Sequence, residues 1–281
     1  MTTAEFHYRP SWRVAGQRPG AHRGRQAGSG QLFQRLAPLQ DHPDPRRLDL
    51  RASLTDAGER FWVRLHEQRS AIKVYVLADL SASMGYRGAH SKPAVMADFI
   101  DSLALSALRG GDSVGLIGCA ETVLQPFCLP ATRQIGALTE LAGRLRRFRP
   151  KGIHARGLQQ AARLLPAARC LVFLLSDFHY PLAQLRQSLA SLARHQVVPV
   201  VLWDREEHRP EASGLALMQD PESHGERLIW LRPELRTRLA ASQRERKQHF
   251  VRLLAEFGRR PLYLEHGFDA DTVTQYFLSG H

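Results

Sequence analysis

From about residue 70 onward the apolar positions gather into short runs, at 72–78, 113–119, 122–128, 170–176 and 197–203, dominated by Val, Ile and Leu. Most of these runs lack the polar alternation of a half-exposed strand, the pattern of strands covered on both faces, as in parallel sheets. Between them lie segments with helical spacing, at 91–109, 131–148, 156–166 and 181–195. The first opens at Ser91 with Pro93 in its first turn and closes on Gly110-Gly111-Asp112, as helix ends prefer. Alternation of strand and helix predicts an α/β fold, a doubly wound and mostly parallel sheet with helices on both faces. Downstream, a weaker strand pair is expected near 213–218 and 227–231, then a long amphipathic helix over 235–257 ending at Gly258, a short strand at 261–264 and a terminal helix at 271–278.

The first 70 residues read differently. Residues 1–30 mix Arg, Gly, Gln and His with isolated aromatics and show little periodicity, the composition of an irregular arm. Arg60 to His66 carries aromatic and β-branched residues and reads as a strand outside the main sheet. The expected division is therefore an arm and extension with a small β element over 1–70, followed by the α/β domain over 71–281.

Chemistry appears where two of the apolar runs end. The run 72–78 leads into Asp79-Leu80-Ser81-Ala82-Ser83-Met84-Gly85, and the run 170–175 leads into Ser176-Asp177. In an open parallel sheet, ligands bind beyond the carboxyl ends of the strands. Asp79, Ser81, Ser83 and Asp177 are thus expected at one edge, and such hard oxygen ligands suit Mg²⁺ or Mn²⁺.

These residues resemble the metal-ion-dependent adhesion site (MIDAS) of von Willebrand factor A domains, with Asp-x-Ser-x-Ser after the first core strand and an Asp after the fourth. Upstream, Asp44-Pro45-Arg46-Arg47-Leu48-Asp49-Leu50-Arg51 and Trp62-Val63-Arg64-Leu65-His66-Glu67-Gln68-Arg69 resemble the segments that precede such a core in bacterial domain of unknown function 58. That resemblance implies a von Willebrand factor A-like fold and a non-enzymatic, chaperone-like role beside a MoxR-type AAA+ ATPase. By the same resemblance the expected role is assembly of a client enzyme, or insertion of its metal or cofactor, with methanol oxidation as one setting. It also implies a metal that keeps one position open for a partner's carboxylate.

The family pattern adds a Thr in the loop before the helix at 156, and here that loop reads Arg149-Pro150-Lys151-Gly152-Ile153-His154-Ala155, without a hydroxyl. Three outcomes stay open: His154 stands in as a softer ligand, Lys151 or Arg156 fills the position with positive charge, or the site is vestigial. A transition-metal set of Asp79, His154, Asp177 and His179 is a further alternative. Arg144, Arg146, Arg147, Arg149 and Lys151 run into the same loop. They make a client presenting an acidic residue the expected partner alongside the ATPase.

Bulk composition narrows the classes. With 43% apolar and 23% charged residues the chain is ordinary globular material. The formal charge of +12 over 281 residues is carried largely by arginine, which suits acidic partners. No groove-reading motif or stacking pattern accompanies it, which argues against nucleic acid. Cys119, Cys128 and Cys170 form no Cys-x-x-Cys pair and read as core residues in a reducing, cytoplasmic setting. No apolar run approaches the roughly 20 residues needed to span a bilayer. Phosphate-loop, nucleophile-elbow and His-Glu-x-x-His motifs are missing. A metal-dependent hydrolase or phosphatase and an Arg-rich nucleic-acid binder remain as alternatives to the adaptor.

Overall fold

A computed structural model describes residues 4–16, 18–86, 88–150, 156–203, 214–219, 226–231 and 233–280. Of these, 25–32, 214–219, 226–231, 233–236 and 239–240 are described by backbone alone. The chain divides into two units, one of Pro10–Ile72 with Arg109–Asp112, the other of Met1–Arg9, Lys73–Leu108 and Ser113–His281.

The smaller unit is built on an antiparallel pair, β1 (Pro19–Pro38) with β2 (Trp62–Ser70). Where the sequence predicts an irregular arm, the chain is a strand from Pro19 on. It pairs through its backbone, with several register shifts, which is why Gly, Arg and Gln serve as well there as β-formers would. Gly20 is required by close approach, since a Cβ there would stand 2.3 Å from Ala71 N. Between the strands, Asp44 caps a 3₁₀ turn at Pro45–Arg47, and Asp49 caps α1 (Leu50–Leu54) by accepting the Ala52 N–H. Arg64 of β2 donates to the other Asp49 oxygen at 2.7 Å, and this bond holds the Asp49 carboxyl below the usual carboxylate range. Val63, Leu65 and Ala37 form the small core beneath. In the same unit, buried Asp112 receives the Ile72 N–H at 2.8 Å and pairs with His22 at 2.7 Å.

The larger unit contains β3 (Lys73–Asp79), α2 (Lys92–Gly110), β4 (Ser113–Cys119), β5 (Val123–Thr132), α3 (Ile135–Arg147) and α4 (Gly157–Leu164). It continues with β6 (Leu171–Ser176), α5 (Leu182–Ser191), β7 (Gln196–Val201) and the antiparallel pair β8 (Gly214–Gln219) and β9 (Glu226–Leu231). It closes with α6 (Pro233–Glu256), β10 (Leu262–Tyr263) and α7 (Ala270–Leu278). The main sheet runs β10-β7-β6-β3-β4-β5, with β5 alone antiparallel. This is the α/β, doubly wound, mostly parallel arrangement predicted. β5 lies at the open edge of β4 and contains Pro126 and Pro130, and the opposite edge is the two-residue β10.

Both faces of the sheet are covered, which accounts for the unbroken apolar runs. Tyr75, Leu77, Ile117, Val172 and Leu174 face one core, closed by Leu158 of α4, Leu185 and Leu189 of α5 and Phe250, Leu253 and Leu254 of α6. On the other parity, Phe173 of β6 meets Phe99 of α2 with ring centroids 5.1 Å apart. Phe6 joins them, 5.3 Å from Phe99 and almost fully buried. Residues 4–9 therefore pack with the larger unit. The division read from sequence places them with the extension, because a single aromatic in a polar stretch carries no periodic signal. Cys119 and Cys170 are buried and Cys128 half-buried, all as free thiols, and burial pushes each of them up. Among the described residues no helix is long and apolar enough to cross a membrane.

Candidate functional site

The sheet order fixes where a site can form. From β3 the chain crosses to β4 on one side, whereas β6 leads to β7 on the other, so the strand order reverses between the adjacent β3 and β6. Such a switch point leaves a crevice beyond the carboxyl ends of the two strands. Asp79 ends β3, and Ser176 ends β6 with Asp177 directly after it.

Four residues expected at one edge do come together. Ser83 Oγ donates to Asp177 Oδ1 at 3.2 Å, and the Ser81 and Ser83 hydroxyls are 3.3 Å apart. Asp79 Oδ1 accepts the Ser81 N–H at 3.0 Å, and Asp79 Oδ2 accepts the Ser176 hydroxyl at 2.6 Å. The turn that presents the serines is a 3₁₀ segment at Ala82–Gly85, begun by Ser81 and anchored by fully buried Met84. Asp79 and Asp177 are both fully buried, Ser81 nearly so, and Ser83 half-exposed.

A fifth group was not foreseen. Lys92, in the first turn of α2, is only 3% exposed, and its ammonium lies 2.9 Å from Asp177 Oδ2 and 3.3 Å from the Ser83 carbonyl oxygen. The Tyr86 ring flanks it, with its centroid 5.5 Å from Nζ. A cation at a helix N-terminus opposes the helix dipole, and here the Asp177 carboxylate offsets that cost. Lys92 is also one of only four lysines among 39 basic residues.

The two carboxylates are driven apart. Burial, and then the neighbouring Asp177 charge, push Asp79 up to about 6 against the pull of its hydrogen bonds. Burial alone would also raise Asp177, but the Lys92 ammonium, with a further contribution from His179, holds it below the usual carboxylate range. Asp177 is thus the settled anion of the pair, and Asp79 the first to take a proton as pH falls.

The Asp177 segment is clamped from behind. Phe178 adopts φ +54°, a left-handed conformation that is costly for a bulky residue. Its N–H is bound by Ser176 Oγ at 2.9 Å, its ring packs 5.0 Å from Phe250, and its carbonyl and that of Tyr180 both accept from the Arg246 guanidinium of α6. The Trp203 indole donates to the Asp177 carbonyl at 2.7 Å. Trp203→Phe should keep an aromatic ring while removing this donor and part of the indole's packing, lowering stability by at least about 1–2 kcal/mol as read by a shift in urea midpoint. Strain held by converging donors beside a buried carboxylate is characteristic of a functional turn.

The basic run divides by role. Arg146 bonds Asp98 at 2.6 Å and Asp101 at 3.3 Å on α2, and Arg144 lies over the Phe127 ring. Both are engaged within the chain, while Arg147 and Arg149 are exposed. His154 and Lys151 lie outside the described residues. Beyond them, Gly157 opens α4 close against the β4–β5 turn, where a Cβ would meet Thr122 backbone at 2.7 Å.

The match to known proteins begins in the capped turn of the smaller unit and runs through this site. Residues 44–249 match the family described as protein of unknown function DUF58. The chain belongs to that family. Asp44, Asp49 and Arg64, at the start of the DUF58 match, serve as caps and a strand-to-turn tie in the smaller unit.

This DUF58 protein is 36% identical over 99 residues to an uncharacterized protein in the moxR 3' region of Paracoccus denitrificans, covering 35% of this chain and 94% of that one. Among solved structures it is similar to BatB from Bacteroides thetaiotaomicron, at 14% identity and TM-score 0.41 over 67% of this chain and 99% of that one. It is also similar to a von Willebrand factor type A protein from Catenulispora acidiphila, at 19% identity and TM-score 0.40 over 76% of this chain and 43% of that one.

Whether the DUF58 site suits a divalent ion can be asked of its donors. Two hydroxyls and two carboxylates are gathered, which is the right chemistry. One of the carboxylates, however, is already bonded on both oxygens, to Ser83 and to the Lys92 ammonium, and the other accepts from Ser176 and Ser81. As arranged, the set does not fit an added divalent cation unless Lys92 leaves. Among the described residues no three His, Cys, Asp or Glu side chains cluster to hold a metal.

Proposed function

We propose that this chain is a non-catalytic adaptor that works with a MoxR-type AAA+ ATPase, the β3–β6 rim being its docking edge. The observation that carries the reading is its likeness, at 36% identity, to a protein of the moxR 3' region, joined to a rim built for binding rather than turnover. The Ser81 hydroxyl is bonded to that of Ser83, and Ser83 donates to Asp177, a carboxylate that the Lys92 ammonium keeps below the usual range and so a poor proton acceptor. An activated nucleophile would instead be paired with a base able to take its proton. In this reading the ATPase supplies mechanical work, and the chain selects a client enzyme for assembly or for metal or cofactor insertion, methanol oxidation being one setting.

Exposed Arg147 and Arg149 stand at the end of α3, leading toward the same edge in sequence, and would receive an acidic segment of the ATPase or client. The test is a pull-down of a purified MoxR-type ATPase by the full chain. Reversing Arg147 and Arg149 to Glu should weaken capture at least about tenfold at low salt, with a smaller effect at high salt where the charges are screened. Arg146 is left intact because it ties α3 to α2. Undiminished capture by the double reversal would remove the basic edge from the proposal. Capture of no ATPase by the unmodified chain would remove the adaptor itself.

A further inference from the structure

The crevice at the switch point already holds a cation. Lys92 Nζ is buried against one Asp177 oxygen and the Ser83 carbonyl, while the other Asp177 oxygen takes the Ser83 hydroxyl. The carboxylate that would supply much of a divalent ion's neutralisation is therefore satisfied by an ammonium. Nor can that carboxylate readily turn away, since its own backbone is fixed by the Trp203 indole and by the Arg246 clamp on the next residue. A divalent ion in the same pocket would sit beside a buried positive charge, with little solvent between them to weaken the repulsion.

The placement of Lys92 is not incidental packing. It stands where the positive end of α2 disfavours a cation, it is 3% exposed, and a buried ammonium is tolerated only when paired. The pairing carboxylate comes from a strand more than 80 residues away in the chain.

We infer that Lys92 is the resident cation of this pocket, filling the electrostatic role that a divalent ion fills in adhesion-type sites, so that the rim is assembled without metal. That the rim then meets a partner through half-exposed Ser83 and exposed Gly85 and Tyr86, rather than through a metal-bridged carboxylate, rests on the adaptor reading above; the assignment of the cation does not.

The experiment is a titration of the full chain with Mn²⁺, followed by electron paramagnetic resonance, with no partner present. At roughly millimolar Mn²⁺, where even weak oxygen-ligand sites fill, the unmodified chain should show no bound ion whose signal is lost in Asp79→Asn. Lys92→Met should gain such binding, at least about tenfold tighter than the unmodified chain. One Mn²⁺ per unmodified chain, abolished by Asp79→Asn, would overturn the inference, as would a folded Lys92→Met that gains no affinity. Should Lys92→Met fail to fold, the comparison of the unmodified chain with Asp79→Asn still decides. Because no ATPase takes part, failure of the adaptor reading leaves this result untouched, and failure here leaves capture of the ATPase to be judged separately.

Discussion

Replacing Lys92 by Met should lower stability by about 3–5 kcal/mol, because it strands a carboxylate in the interior without a counter-charge. Asp177 is fully buried and held below the usual carboxylate range, chiefly by that ammonium acting against the effect of burial. The loss would appear as a lower urea midpoint with an unchanged slope. It measures the cost of breaking the pair, which differs from the net worth of having it, since a buried ion pair often does little better than an apolar replacement. Adding Asp177→Asn to Lys92→Met should therefore recover part of the loss, so that the double variant is more stable than the two single effects added together, by about 1 kcal/mol or more. A Lys92→Met variant within about 1 kcal/mol of the unmodified chain would mean that the ammonium does not neutralise Asp177.

Asp79 leads to an expectation of the opposite sign. Burial and the neighbouring anion raise it from 3.8 to about 6, so the folded chain binds a proton more tightly than the unfolded one. Stability from this group is fully present below about pH 4 and is lost as pH rises through about 6, levelling off above that. Asp79→Asn removes the charge while keeping an oxygen for the Ser81 N–H, and the Ser176 hydroxyl can turn to accept as well as donate. The variant should be more stable than the unmodified chain at pH 7.5 by about 1–3 kcal/mol, with the gap shrinking as pH falls through about 6 and nearly gone at about pH 4. Urea unfolding at the two pH values reads both the sign and the closure. A variant less stable at pH 7.5 would show that the negative charge at position 79 is wanted, as a bound cation would want it. A stabilising substitution at a buried carboxylate is the usual mark of a residue kept for function.

Much of the larger unit was legible because its strands are buried on both faces, so that each apolar run announces itself. β3, β4 and β6 fall within a residue of the predicted spans, and α2 begins one residue from the expected start. The convergence of Asp79, Ser81, Ser83 and Asp177 followed from the same logic, since strands that end together deliver what comes next to one rim. Lys92 escaped because it sits on a different element, nine residues past Ser83, and its meeting with Asp177 depends on how α2 packs. β1 escaped for another reason. It pairs by backbone through repeated register shifts, and a strand of that kind leaves no alternation in its side chains. Trp203 and Arg246 act on Asp177, Phe178 and Tyr180 through main-chain oxygens, contacts that no residue pattern encodes.

The two ends of the main sheet also restrict how this molecule can recruit anything. On one flank, Pro126 and Pro130 leave gaps in the row of amide donors that β5 would offer, and on the other, β10 spans only Leu262–Tyr263. Neither flank gives an incoming peptide the continuous ladder that strand addition requires. Among the described residues, recruitment by extending this sheet is thereby disfavoured, as is stacking edge to edge with its own copies.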